Sequence, residues 1–370
     1  MRIAIVTATD VSQAGAGGGS RYVEHLANSL SFRHRVTLIT FRAPQKLFGR
    51  IERLRRGLLE VVVLPCHPAS PFARLALLCR PEITDSDLVI ESSDKGGPWF
   101  AFNARHRILL SHQMWEGAFE EELPPGIGRV ARLAEPLFYT GYRQIPIVAN
   151  SVSTASSLSR IGLSVSRIIP PGVDDKLLTE AFQCPPKLPT PTLIVVGRLR
   201  KYKGVQYAIS ALALISRSVP GIRLIVVGDG PYRHELEDRA SREGVQSSVV
   251  FKGVVNEWEK WQLLGGAHVL VNGSVQEGFG INVLEANALR TPCVGWDVPG
   301  TRDAVRNEVT GLLAKPFDVA DLAAKILSLF SDEGRRREMA ERARAYAMDF
   351  SWSKMELEFD KLVGSLARHS

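Results

Sequence analysis

The sequence predicts an α/β protein made of two doubly wound domains. Three observations carry that expectation: short apolar strands alternate with helical stretches over nearly the whole length, a proline-rich polar break falls near the middle, and the pentapeptide LIVVG occurs twice in the second half. A chain of 370 residues with 45% hydrophobic residues exceeds what one core usually supports, so two cores are expected.

In the first half, strands are predicted at Arg2 to Thr7, Val36 to Thr40, Leu88 to Ile90, Ile108 to Leu110 and Ile147 to Ala149. The glycine-rich stretch SQAGAGGGSRYVEHLANSL follows the first strand and leads into a helix with Val23, Leu26 and Leu30 on its apolar side. KLFGRIERLRRGLLEVV sets Leu47, Ile51, Leu54 and Leu58 on roughly one helical face, with Arg50, Arg53, Arg55 and Arg56 around it. Such a helix suits either packing on the N-terminal sheet or docking on an anionic membrane.

The break consists of PPGVDD at Pro170 to Asp175 and CPPKLPTPT at Cys184 to Thr192. It places an N-terminal domain at 1–172, a linker at 173–192, a second domain at 193–348 and a closing helix, 349–370, packed back on the N-terminal domain. Both LIVVG copies, Leu193 to Gly197 and Leu224 to Gly228, are continuously apolar, as a strand covered by helices on both faces should be. Further strands are expected at Ser248 to Phe251, Val269 to Val271 and Pro292 to Gly295. From Asp318 the chain is mainly helical, and the charges of RRREMAERARAYAM mark a solvated face rather than a nucleic-acid site.

Bulk properties bound the function classes. No run approaches the roughly 18 apolar residues of a membrane span, and the chain starts directly in the alternating strand MRIAIV without a signal-peptide profile, so a cytoplasmic location is expected. Cys66, Cys79, Cys184 and Cys293 lie far apart without zinc-ligand spacing and read as structural thiols. The net charge of +7 favours an anionic partner: a phosphorylated substrate, an anionic membrane surface or nucleic acid. Charge alone does not choose among them.

In doubly wound sheets, ligands bind at the carboxyl ends of the strands, which directs attention to strand exits. SVQEGFGINVLEAN, Ser274 to Asn287, is such an exit: VLVNGS is a strand, VQEGFG a loop and INVLEANALR a helix. Glu277 sits in the loop ahead of the helix and Glu285 little more than a turn inside it. A glycine-rich approach to a helix N-terminus presents free backbone N–H groups that suit an anion, and a carboxylate there suits sugar or ribose hydroxyls. The plainer alternative is that Glu285 complements the helix dipole and Glu277 is an exposed loop acid. After the first LIVVG comes GRLRKYKG, where Arg198 and Lys203 can neutralise a diphosphate and Gly204 opens the next helix; after the second comes the turn GDGPYRHELE.

With these motifs in place, the chain resembles a family 4 glycosyltransferase of the two-domain GT-B fold. The resemblance rests on GRLRKYKG, GDGP, the E-G-F-G-x-x-x-x-E element at Glu277 to Glu285 and the G-T-R-D…T-G-L-L-A-K-P stretch from Gly300, and it covers the whole chain, more loosely in the N-terminal half. It implies two Rossmann-like domains facing a central cleft, with a nucleotide-sugar donor held mainly by the second. Matched motif for motif, it gives Arg198 and Lys203 to the diphosphate and Glu285 to the ribose hydroxyls. Glu277 would face the donor sugar, assisted by the Gly278, Phe279 and Gly280 backbone. Asp303 stands where the family often carries glutamate and is left out of the site.

On the N-terminal side, Gly17, Gly18 and Gly19 form a loop able to cradle a phosphate or admit the acceptor, and the resemblance places it near the donor diphosphate. A dinucleotide fingerprint fails, because Gly15 and Gly17 would need a third glycine where Ser20 stands, and Thr40, Phe41 and Arg42 supply no acid for a ribose. His112 directly follows a strand and is matched to a histidine that contacts the transferred sugar; a lone histidine is otherwise a structural group. Asp85, Ser86 and Asp87 mimic a D-x-D metal motif but precede a strand, so surface capping is expected, with no metal and no cofactor beyond the sugar nucleotide.

The combined expectation is a retaining hexosyltransferase that uses a nucleotide diphosphate sugar and a glycan, lipid-linked or small-molecule acceptor, cytoplasmic or associated with the inner membrane face, with no nucleic-acid partner. Retention comes from the resemblance alone. An epimerase or phosphorylase on the same fold, and a non-catalytic nucleotide-sugar-binding component of a polysaccharide assembly complex, are the alternatives.

Overall fold

The computed structural model describes residues 1–9, 17–42, 50–67, 77, 80–93, 99, 101, 103–124, 126–179 and 181–367. Leu47, Gly15 and Cys79 lie outside the described residues. The chain divides into two compact units: Met1–Glu116 with Arg129–Pro171 and Trp352–Ser370, and Gly117–Gly128 with Gly172–Ser351. No helix among the described residues is long and apolar enough to cross a membrane.

The first unit is built on strands β1 (Arg2–Val6), β2 (Arg35–Phe41), β3 (Glu52–Arg56), β4 (Leu59–Leu64), β5 (Leu88–Ser93), β6 (Arg107–Ser111), β7 (Ile147–Ala149) and β8 (Arg167–Ile168). They form one sheet in the order β3-β4-β2-β1-β5-β6-β7-β8, parallel except for the β3–β4 pair. The five strands predicted in this half are present, and β3, β4 and β8 were not foreseen.

The arginine-rich stretch corrects the sequence reading. Instead of an amphipathic helix, Glu52–Arg56 and Leu59–Leu64 form an antiparallel hairpin, with Gly57 at φ +59 in the turn. The β-branched run Val61-Val62-Val63 pairs with β2 and pulls the segment into the sheet, and Arg53 is held by Glu60 and Glu82 at 3.0 and 2.5 Å. The helical face on which Ile51, Leu54 and Leu58 were to share a side does not form.

The closing helix Trp352–Ala367 belongs to the first unit, where it packs on the helix Gly18–Ser31. His25 stacks on Trp352 at 4.3 Å, and Tyr22 meets Trp352 and Phe359 edge-on at 6.1 and 6.0 Å.

The second unit carries β9 (Thr192–Val196), β10 (Arg223–Val227), β11 (Val249–Gly253), β12 (Val269–Asn272), β13 (Cys293–Trp296) and β14 (Gly311–Ala314) in an all-parallel sheet ordered β11-β10-β9-β12-β13-β14. Successive residues of each LIVVG copy go to opposite cores. Leu193, Val195, Leu224 and Val226 enter one cluster, and Ile194, Ile225 and Val227 the other. Strands buried on both faces need an unbroken apolar run, which is why the pentapeptide is so legible. The order reverses between β9 and β12, the crevice where ligands bind in open α/β sheets.

The charged helix Glu333–Ala347 does expose Arg337 and Arg342, with Arg335 half-buried, yet Arg344 turns inward and donates to the Leu177 carbonyl at 3.2 Å.

Candidate functional site

The loops leaving β9 and β12 meet at the reversal point. The Val275 N–H donates to the Tyr202 carbonyl at 2.8 Å. Gly204, at φ +68, lies so close to Gly273 that a Cβ there would stand 1.7 Å from the Gly273 carbonyl oxygen. Only glycine satisfies both the left-handed backbone and that approach.

This junction brings two predicted site residues together. Lys203 donates to Oε1 and Oε2 of Glu277 at 2.6 and 2.8 Å, and Ser274 Oγ donates to the same Oε1 at 2.7 Å. Burial works against the Lys203 charge, but the facing Glu277 carboxylate outweighs it and raises the ammonium above the usual lysine range. The Glu277 N–H donates to the Pro299 carbonyl at 3.2 Å, and Gly300, at φ +81, passes so close that a Cβ would lie 2.1 Å from the Glu277 carbonyl oxygen. The carboxylate is therefore oriented from three directions before any ligand arrives.

Arg198 follows β9 on the same edge, its Nη2 3.4 Å from the Tyr202 hydroxyl. Lys203 Nζ sits 5.2 Å from the centroid of that Tyr202 ring. The turn after β10 closes on this loop: a Cβ on Gly230 would come within 2.4 Å of the Leu199 carbonyl, and the Tyr232 N–H donates to that oxygen at 3.0 Å. The GRLRKYKG and GDGP turns thus pack directly on each other.

Gly280, at φ +84, precedes the helix Ile281–Ala288 with no side-chain cap. Asn282 Nδ2 binds the Val196 carbonyl at 3.0 Å, tying this helix to the end of β9, and Phe279 is buried against Phe350 at 5.4 Å. Gly278 is half-buried in the loop between Glu277 and Phe279. Glu285 does not join the Lys203–Glu277 pair. Its carboxylate is buried and accepts from Lys260 Nζ at 2.8 Å, and Lys260 also reaches Glu257 at 2.9 Å. Asp303 accepts from the Gly300 N–H at 3.0 Å and stabilises that turn.

In the first unit, His112 follows β6 and is buried, with Nε2 3.0 Å from Ser92 Oγ and its ring edge-on to Tyr22 at 5.2 Å. Burial lowers its pKa to about 4, so the imidazole is neutral at physiological pH. Gly17 precedes the helix Gly18–Ser31 with no side-chain cap, and a Cβ on Gly19 would stand 3.4 Å from His112 Cδ2. Gly18 and Gly19 thus open the helix instead of lying in a loop, and Gly19 and the histidine share one neighbourhood at the β1–β5 reversal of this sheet. Asp87 accepts from the Arg2 N–H at 2.7 Å at the amino ends of the strands.

Sequence reasoning passed over Ser274, Tyr202 and Lys260. Ser274 and Tyr202 lie within the quoted motifs and differ only in being polar side chains next to an ion. Lys260 is 25 residues from its partner, and no local pattern announces it.

Comparisons with known proteins bear on the family and the fold. Residues 16–177 match the family model described as Glycosyltransferase Family 4, and residues 179–346 match Glycosyl transferases group 1. A D-inositol 3-phosphate glycosyltransferase from Xylanimonas cellulosilytica is 31% identical over 382 residues, covering 92% of this chain and 89% of the relative. The chain belongs to family 4 of the glycosyltransferases. A glycogen synthase from Mycobacterium tuberculosis is 36% identical over 192 residues, 52% of this chain, and the chain spans about half that relative's length, 46%.

Among solved structures, sucrose-phosphate synthase from Thermosynechococcus elongatus superposes with a TM-score of 0.79 at 20% identity, covering 100% of this chain and 99% of that one. Anabaena HepE in complex with UDP and glucose gives 0.73 at 18% identity, with 99% and 100% covered. At such identities the likeness is one of fold, and the fold of this family member is GT-B.

Proposed function

We propose that this family 4 member is a glycosyltransferase that moves a hexose, with retention, from a nucleotide diphosphate sugar to a hydroxyl of a glycan, lipid-linked or small-molecule acceptor. The observation that supports it most is the Lys203–Glu277 pair at the strand-order reversal of the second unit, with Arg198 on the same edge. HepE, solved with UDP and glucose, carries the same fold.

In this reading Arg198 and Lys203 hold the diphosphate, and the N–H groups at the start of the helix Ile281–Ala288 add to them, so that no metal ion is needed. Glu277, Gly278, Phe279 and Gly280 face the sugar, and Glu285 takes the ribose hydroxyls once the donor draws it from Lys260. Gly17 and Gly18 offer backbone amides to the anion, and His112 is a neutral hydrogen-bond partner for the sugar. The acceptor oxygen bonds to the anomeric carbon as the bond to the diphosphate oxygen breaks, and the acceptor proton passes to that departing oxygen. The protein orients the partners and stabilises the developing charge.

The test is a thermal-shift panel of UDP-, GDP- and ADP-sugars followed by a transfer assay. One nucleotide class should raise the melting temperature, and the rise should vanish in Arg198→Ala/Lys203→Ala. No stabilisation by any donor, or full transfer by that folded double variant, overturns the assignment.

A further inference from the structure

The helix Ile127–Phe138 is amphipathic in the wrong sense for a soluble helix. Its outward side carries Val130, Leu133, Leu137 and Phe138 at 66, 67, 69 and 45% exposure. Its inward side carries Glu135, a buried carboxylate that accepts from the backbone N–H groups of Trp115 and Glu116 at 2.7 and 3.0 Å. At about 100° per residue the four apolar side chains share one arc, and Glu135 falls away from it. Desolvation raises the Glu135 pKa, so the polar anchor is itself costly to bury. A contiguous apolar face left outward while a carboxylate is turned inward marks a surface that another phase covers.

Charge narrows what covers it. Arg129, Arg132 and Arg143 are exposed along the same stretch, and between 129 and 144 the sole acid is the inward Glu135. A second copy of this face would set arginines against arginines, which disfavours self-association. An anionic bilayer satisfies both features, since apolar side chains enter the headgroup–acyl boundary and arginines meet lipid phosphates. We propose that the Val130, Leu133, Leu137 and Phe138 face, with Arg129, Arg132 and Arg143, docks this protein on an anionic lipid surface. This face is distinct from the arginine-rich stretch Arg50 to Arg56, for which sheet packing and membrane docking were both open, and it stands apart from the transfer assignment: loss of vesicle binding and loss of donor binding are separate readouts.

The experiment is co-sedimentation of the full chain with vesicles of mixed phosphatidylglycerol and phosphatidylcholine, and with phosphatidylcholine alone, alongside analytical ultracentrifugation without lipid. The wild type should pellet with the anionic vesicles and be released by salt. Arg129→Gln/Arg132→Gln should weaken binding about fivefold per arginine. Leu133→Gln/Leu137→Gln should weaken it at least about tenfold, with an unchanged melting temperature confirming the fold. Absence of pelleting with anionic vesicles, or equal pelleting of wild type and the leucine variant, overturns the proposal. So does a lipid-free dimer that the leucine variant dissociates.

Discussion

Lys203 donates to both carboxylate oxygens of Glu277, at 2.6 and 2.8 Å, across 74 residues of sequence. Removing one partner strands the other in a mostly buried site, so Lys203→Ala should cost about 3 kcal/mol of stability. A Lys203→Met/Glu277→Leu variant should lose less than the sum of the two singles, read from a urea-unfolding double-mutant cycle. Glu277→Gln keeps the shape and should lower the transfer rate by about a hundredfold or more.

Arg198 offers a planar fork beside the Tyr202 hydroxyl. Lysine cannot reproduce it, so Arg198→Lys should bind nucleoside diphosphate about tenfold more weakly by calorimetry. Equal affinity would remove Arg198 from the diphosphate role.

Lys260 is the partner that holds Glu285. Lys260→Met should destabilise the protein by about 3 kcal/mol through loss of the buried Lys260–Glu285 ion pair. Glu285→Gln should instead spare most of the stability while weakening donor binding. If the two variants fail alike on folding and binding, Glu285 is a structural group only.

His112 and His268 both have folded pKa values of about 4, lowered from 6.5 first by burial and, for His268, also by the Arg336 and Lys187 charges. Between those values the unfolded chain binds protons that the folded one does not, so stability falls as pH drops from 6.5 to 4. Above that window these groups have no effect. His112→Asn should remove about 3 kcal/mol of that acid-induced loss, measured as the change in unfolding free energy across the window.

Gly204→Ala should be worse than any of these, by more than about 3 kcal/mol, because the new Cβ meets the Gly273 carbonyl and the backbone stays left-handed. A folded, wild-type-like Gly204→Ala protein would show that the two loops have room to part.

The elements most legible in the sequence are those whose burial is symmetrical. LIVVG at Leu193 and Leu224 reads as a strand because both faces are covered, and GRLRKYKG and EGFG read as strand exits because glycine is required at Gly204 and Gly280. The hairpin Glu52–Leu64 was misread because Ile51, Leu54 and Leu58 also fit a helical period; Gly57 and the Val61-Val62-Val63 run are the signals that decide otherwise. The Lys203–Glu277 and Lys260–Glu285 pairings were out of reach, since contacts over 74 and 25 residues leave no local pattern. The helix Ile127–Phe138 was passed over because its apolar residues were open to a core reading, and only their exposure reveals the inverted face.

Gly117–Gly128 lies in the first half of the chain but belongs to the second unit, where Glu122 binds Arg200 at 2.7 Å and Glu121 binds Lys201 at 3.0 Å. The backbone passes from one unit to the other after Glu116, Gly128, Pro171 and Ser351. Severing the chain at the proline-rich break therefore does not yield two self-sufficient pieces: a recombinant fragment starting at Gly172 lacks the strap that neutralises Arg200 and Lys201, beside the loop that bears Lys203. A split-protein reporter or a domain-swapped chimera made from this chain has to carry that dodecapeptide along, spliced or supplied in trans, or its donor half starts out with unpaired arginine and lysine.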